Sequence, residues 1–168
     1  MFYPTHATAY YVAVSGGSFT KVACLSKPSI SKFINPKKNS YKNPFGTEIA
    51  FLETNNGGMS RMGVSWDTPG HPGERGLIRC TKGTFQGTFQ GLSKNLPELR
   101  KPPLPPTISS GGHGGSHGHL TNEFIMSILE KRKPLVNIGW ALNMTVPGIL
   151  AHQSAFKNGE WLKVPQFL

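Results

Sequence analysis

Thr47-Glu48-Ile49-Ala50-Phe51-Leu52-Glu53-Thr54 and Met59-Ser60-Arg61-Met62-Gly63-Val64-Ser65-Trp66 are two apolar-rich runs on either side of Asn55-Asn56-Gly57-Gly58, four residues that accept positive φ at low cost. The pattern predicts a β-hairpin, and strand signals extend from it in both directions. Upstream, Phe19 to Leu25 carries Val22 and Cys24 and reads as a strand. Downstream, Arg75 to Cys80 and Thr84 to Phe89 continue the series, so at least about five mostly antiparallel strands are expected. The tandem Gly-Thr-Phe-Gln of Gly83 to Gln90 is far shorter than the period of a repeat architecture and reads as a local duplication in an edge strand. Ala7 to Val14 ends at Ser15-Gly16-Gly17, which fits either a short helix stopped by glycine or a strand rich in Tyr and Val.

Beyond the strands the period changes. Leu120, Phe124, Ile125, Ile128 and Leu129 form one stripe of an amphipathic helix. Lys131-Arg132-Lys133 suits the negative end of that helix and Pro134 stops it. Asn137 is a suitable N-cap for a second helix toward Phe156, with a kink or break at Pro147 and an end at Gly159. The two helices are expected to cover one face of the sheet and leave the other open. The expected class is α+β: an open, mainly antiparallel β-sheet with helices packed on one face. Residues 1-168 are read as one domain with a basic loop at 26-46 and a Pro/Gly-rich loop at 97-118. In the latter, four prolines and then four glycines interrupt Leu99 to Gly115.

A chain of 168 residues and 18.3 kDa suits one ordinary domain and leaves no room for a complete two-domain cofactor enzyme. Its net charge is +10, and Asp67 is the sole aspartate. Polyanions therefore enter as partners, and the alternative reading is a small basic binding module for nucleic acid or another polyanion. Six of the thirteen lysines lie between Lys21 and Lys42, a stretch with no arginine and only Phe33 and Tyr41 as aromatics. Single-stranded nucleic acid is usually held by cations interleaved with stacking aromatics, so this reads instead as a solvated basic loop or a face for an acidic domain. Cys24 and Cys80 are too few for a disulfide framework and are expected to be reduced. No run of 18 apolar residues and no signal-peptide pattern appears, so a cytoplasmic location and no membrane partner are expected.

Three places offer chemistry. His113, His117 and His119 stand among glycines, and three imidazoles are a ligand type that transition metals accept. A glycine-rich backbone fixes ligand geometry poorly. The preferred reading is no metal, but a loop that approaches a ligand closely and offers imidazoles for hydrogen bonding. Tyr3 and His6, in Tyr3-Pro4-Thr5-His6, supply a phenol and an imidazole able to pass a proton. Trp66 to Arg75 is a turn holding Asp67, His71 and a Glu74-Arg75 pair, read structurally as a strand connection with a surface ion pair. No G-x-G-x-x-G opens a βαβ unit, and Walker, G-x-S-x-G and H-E-x-x-H motifs are absent, so the chain cannot hold a dinucleotide by the usual route.

These residues carry a resemblance. Tyr3-Pro4-Thr5-His6, Tyr41-Lys42-Asn43-Pro44-Phe45, Pro69-Gly70 with Gly73-Glu74-Arg75, Gly112-His113-Gly114-Gly115-Ser116-His117 with Glu123-Phe124, and Pro147-Gly148, Ala151-His152 and Ser154-Ala155 followed by Gly159-Glu160-Trp161 occur in order along nearly the whole chain. Together they resemble the C-terminal domain of Gfo/Idh/MocA oxidoreductases, closest to the branch that includes NAD-dependent glycosidases. The resemblance implies an N-terminal Rossmann domain for NAD or NADP and a Glu-Lys-Pro lysine, neither within this chain, with Met1 an internal methionine of a truncated reading frame. It implies that this chain is the substrate-binding and oligomerisation half, inactive alone, with a homo-oligomer formed through the sheet face. It further implies hydride loss from a sugar carbon while a protein base takes the hydroxyl proton; in the glycosidase branch, elimination, water addition and re-reduction follow. His6 matches the histidine of the family's Asp-x-x-x-His pair, but Phe2 stands where the aspartate would be, leaving Tyr3 as the substitute base. Arg75, His113 and His117 would line the sugar pocket.

Overall fold

The computed structural model of the protein describes residues 3–32, 34–68, 73–86, 88–91 and 103–167. Of the residues singled out above, Met1, Phe2, Phe33, Pro69, Gly70 and His71 lie outside them, as do residues 97–102 of the Pro/Gly-rich stretch. The chain divides into two compact units, Met1–Leu92 with Gly139–Leu168, and Ser93–Ile138. The fold is α+β.

The first unit starts with α1, Thr5–Ser15. Its sequence admits both helix and strand, and its ends decide: Pro4 stands at the N-cap with φ −64°, and Gly16 at φ 67° stops the helix with its N–H on Val12 O. Then come β1, Phe19–Pro28, β2, Phe45–Thr54, and β3, Met59–Ser65. The β2–β3 hairpin closes as its turn residues predict, with Gly57 at φ 79°. Asn55 Oδ1 accepts from both Ser18 N–H and the Tyr11 hydroxyl, tying the hairpin tip to the end of α1.

A second, three-stranded sheet follows: β4, Ile78–Cys80, β5, Gly83–Gln86, and β6, Thr88–Gly91, paired antiparallel in that order. The tandem Gly-Thr-Phe-Gln is thus not one edge strand. Its two copies pair with each other, Phe85 opposite Phe89 and Gln86 opposite Thr88.

The second unit contains α2, Gly112–Leu129. It begins within the stretch read as loop, but His113, Gly114 and Gly115 have left-handed φ, so regular helix starts only after them. Its end is closed by a clasp absent from the sequence expectation. Arg132, assigned above to the helix dipole, folds back so that its guanidinium donates to both oxygens of Glu123 at 2.7 and 2.9 Å and to Glu130 at 2.6 Å. The Arg132 hydrogen bonds, with a further one from Leu135 N–H, hold the Glu123 carboxyl down at about 2.

The chain returns to the first unit through α3, Ile138–Phe156, and β7, Leu162–Lys163. α3 begins directly after Asn137 and runs through Pro147 as one helix. The main sheet has the order β3-β2-β1-β7, antiparallel throughout. Register sets its core: Val22 lies opposite Leu52, Cys24 opposite Ala50, and Ala50 opposite Met62, all buried on one face. Val12 of α1 and Ala151 and Ala155 of α3 join that cluster. Within the first unit, the helices that line this face are α1 and α3; α2 belongs to the second unit. No described helix is long and apolar enough to cross a membrane.

Candidate functional site

The start of α1 gathers the chemistry. Tyr3 has φ 50°, a left-handed conformation that costs a residue with a side chain about 1–3 kcal/mol and clusters at functional positions. Pro4 follows and is wedged against α3 at Gly148, where a Cβ would overlap the Pro4 ring. Thr8 Oγ1 lies 2.6 Å from Met144 O and 3.1 Å from Pro4 O, so the first turn of α1 is fixed to α3 from two directions.

On that fixed turn, Tyr3 and His6 stand together with ring centroids 5.7 Å apart, edge to face. The Tyr3 ring also lies 5.5 Å from that of Trp66, one residue past β3. His6 Nδ1 is 2.8 Å from Glu74 Oε1, a bond that the ionised carboxylate accepts. Glu74 follows Gly73, whose φ is 71°. Two residues later Gly76 lies against Tyr10, where a Cβ would overlap the aromatic ring. His6 and Tyr10 are one helical turn apart, so Glu74 to Gly76 runs beside α1 and touches it twice. The cluster therefore offers a phenol, an imidazole backed by a carboxylate, and two aromatic rings, all partly open to solvent.

Glu74 is the member that sequence reasoning missed as a functional group. It stood in a quoted turn, read as a surface pair with Arg75, whereas the fold turns it to His6. Arg75 is exposed beside it in the chain. His113 and His117, in the second unit, make a pair of their own with ring centroids 5.0 Å apart. Gly118, in the next position, donates its N–H to Ser110 O and has no room for a Cβ against Ser109 O. Among the described residues no group of three His, Cys, Asp or Glu is placed to hold a metal.

Asp67 is structural. Its two oxygens accept from the Ser29 hydroxyl at 2.8 Å and Ile30 N–H at 3.1 Å, and Gly46 passes so close that a Cβ would overlap the carboxylate. A second carboxylate–imidazole contact, Glu48 Oε1 to His152 Nδ1 at 2.8 Å, is largely buried beside Phe45 and Phe156. Burial first, and the nearby Glu48 charge second, push the Cys24 thiol up to about 12, which keeps it protonated and inert.

An antiparallel sheet with helices lining one face is an architecture found among solved proteins. The fold is that found in about half of each of several solved Gfo/Idh/MocA-type oxidoreductases. Levoglucosan dehydrogenase, solved with NADH and levoglucosan, matches 98% of this chain and 50% of its own at a TM-score of 0.67 and 16% identity. An oxidoreductase domain protein from Kribbella flavida matches 98% and 51% at a TM-score of 0.63 and 13% identity. A UDP-N-acetylglucosamine 3-dehydrogenase from Acidithiobacillus ferrooxidans matches 90% and 44% at 0.59 and 10% identity. The chain thus spans about half the length of the solved structures it matches. No family model and no curated protein matches the sequence.

Proposed function

We propose that residues 1-168 are the substrate-binding and oligomerising C-terminal domain of an NAD(P)-dependent oxidoreductase or NAD-dependent glycosidase acting on a sugar or sugar derivative. The dinucleotide-binding domain belongs to polypeptide outside this sequence. The observation that carries the reading is the cluster of Tyr3, His6, Trp66 and Glu74 on the pinned start of α1. The fold shared with sugar dehydrogenases, and the half-length match, support it.

In this reading His6 exchanges a proton with a sugar hydroxyl, and the Tyr3 phenol beside it is the second acid–base candidate. The rings of Tyr3 and Trp66 pack on the apolar face of the sugar and shield the reacting hydroxyl from water. Arg75, next to Glu74 in the chain, supplies a further hydrogen bond to a hydroxyl. A nicotinamide cofactor supplies the hydride acceptor in such chemistry. No G-x-G-x-x-G loop is present to cradle its pyrophosphate, so no residue of this chain is assigned to it. The second copy of the chain docks on the open sheet face, where Ala23, Leu25, Ile49, Phe51, Gly159 and Trp161 line an apolar groove of about 610 Å³. Reduced cysteines and a cytoplasmic location accord with this role.

Two measurements test the reading. DNA upstream of the Met1 codon is expected to encode a G-x-G-x-x-G strand-turn-helix and a Glu-Lys-Pro motif; an unrelated gene there overturns it. Purified chain titrated with NADH is expected to show no saturable change in nicotinamide fluorescence, and tight NADH binding with sugar turnover by this chain alone would refute the assignment.

A further inference from the structure

We propose that Glu74 is the positioning residue for His6: from the segment between β3 and β4, its carboxylate holds the imidazole proton on Nδ1 and leaves Nε2 as the proton acceptor at the site. The inference rests on the proposed role of His6 in acid–base work. A neutral imidazole carries one donor and one acceptor nitrogen, and an ionised carboxylate can only accept. With Glu74 Oε1 2.8 Å from Nδ1, the proton is therefore on Nδ1 and the lone pair on Nε2. Isolated histidine side chains favour the opposite tautomer, so the contact changes which nitrogen can take a proton. Carboxylate–imidazole pairs in hydrolases fix tautomer and orientation by the same physics.

Both partners are partly exposed, and an exposed ion pair contributes little to stability. What gives this one a fixed geometry is the backbone on each side. His6 sits on the turn that Pro4 and Thr8 fasten to α3. Glu74 sits between the left-handed Gly73 and Gly76, and Gly76 reaches the Tyr10 ring only because it lacks a Cβ. Contact at Tyr10 sets the height of the segment along α1, and one turn earlier that height brings Glu74 to His6. The Tyr3 ring, edge to face with the imidazole, limits its rotation from the other side.

The test is spectroscopic and uses the full chain without sugar or cofactor. With histidine labelled by nitrogen-15, long-range proton–nitrogen correlation at a pH where the imidazole is neutral reports which nitrogen is protonated, and His6→Gln assigns the signals. Wild-type His6 is expected to be protonated on Nδ1, and Glu74→Leu is expected to convert it to the Nε2-protonated form while backbone amide signals elsewhere stay in place. Glu74→Ala, which removes the same acceptor with a smaller side chain, is expected to give the same conversion. An Nε2-protonated wild type, or an unchanged tautomer in both variants, overturns the proposal. A saturation-transfer experiment with monosaccharides reads the sugar-binding role separately, so failure of that role and failure of the Glu74 contact give different results.

Discussion

The two faces of the four-stranded sheet are made from alternate residues of the same strands, and they differ more in cover than in chemistry. On one, Val22, Cys24, Ala50, Leu52 and Met62 are buried with residues of α1 and α3. On the other, Leu25, Ile49 and Phe51 are 66%, 46% and 49% exposed, with Trp161 beside them. A sheet whose second face met only water would alternate apolar with polar residues. Here apolar side chains point both ways in the middle of the sheet, and a second copy docked on the open face, as proposed, would cover them.

The contrast can be broken by substitution at neighbouring positions. Leu52→Ala, on the covered face, is expected to cost about 2–5 kcal/mol in denaturant unfolding, through lost burial and the cavity left behind. Phe51→Glu, one residue away on the open face, is expected to change unfolding by less than about 0.5 kcal/mol yet abolish self-association in sedimentation. Equal destabilisation by the two would show that the faces are alike, and unaltered association in Phe51→Glu would remove the second copy from the open face. Smallest in effect is the pH response of Cys24, whose folded pKa of about 12 lies above its ordinary value near 9. The neutral thiol is favoured in the fold, so this contribution is intact below about pH 9 and is lost as pH rises toward 12. Thiol labelling at neutral pH is expected to modify exposed Cys80 and spare buried Cys24.

Much of the sheet was legible because strand alternation and the Asn-Asn-Gly-Gly turn are local signals. The covering helices were less so. The α2 stripe was recognised as one face of a helix, but periodicity says which residues share a face and nothing about what lies against it. α1 was ambiguous because Tyr and Val serve either conformation; tertiary anchorage at Pro4 and Gly148 is not written in the segment itself. Tyr3 and His6 are three residues apart in sequence, and their rings lie edge to face in the fold. Glu74 was not readable as their partner, because 68 residues separate it from His6 and tertiary contacts such as Gly76–Tyr10 bring the segments side by side.

Asp67 also bears on how such a chain can change over generations. Together with the Ser29 N–H to Pro44 O bond, it fastens the two ends of the lysine-bearing loop at its root, while Lys32, Lys37, Lys38 and Lys42 stand outside the core. Between these ends Ile34 and Asn43 are buried and the Asn39 amide donates to Asn35 O and Asn43 O, so it is the exposed lysines, rather than the length of the loop, that can change without disturbing the strands on either side.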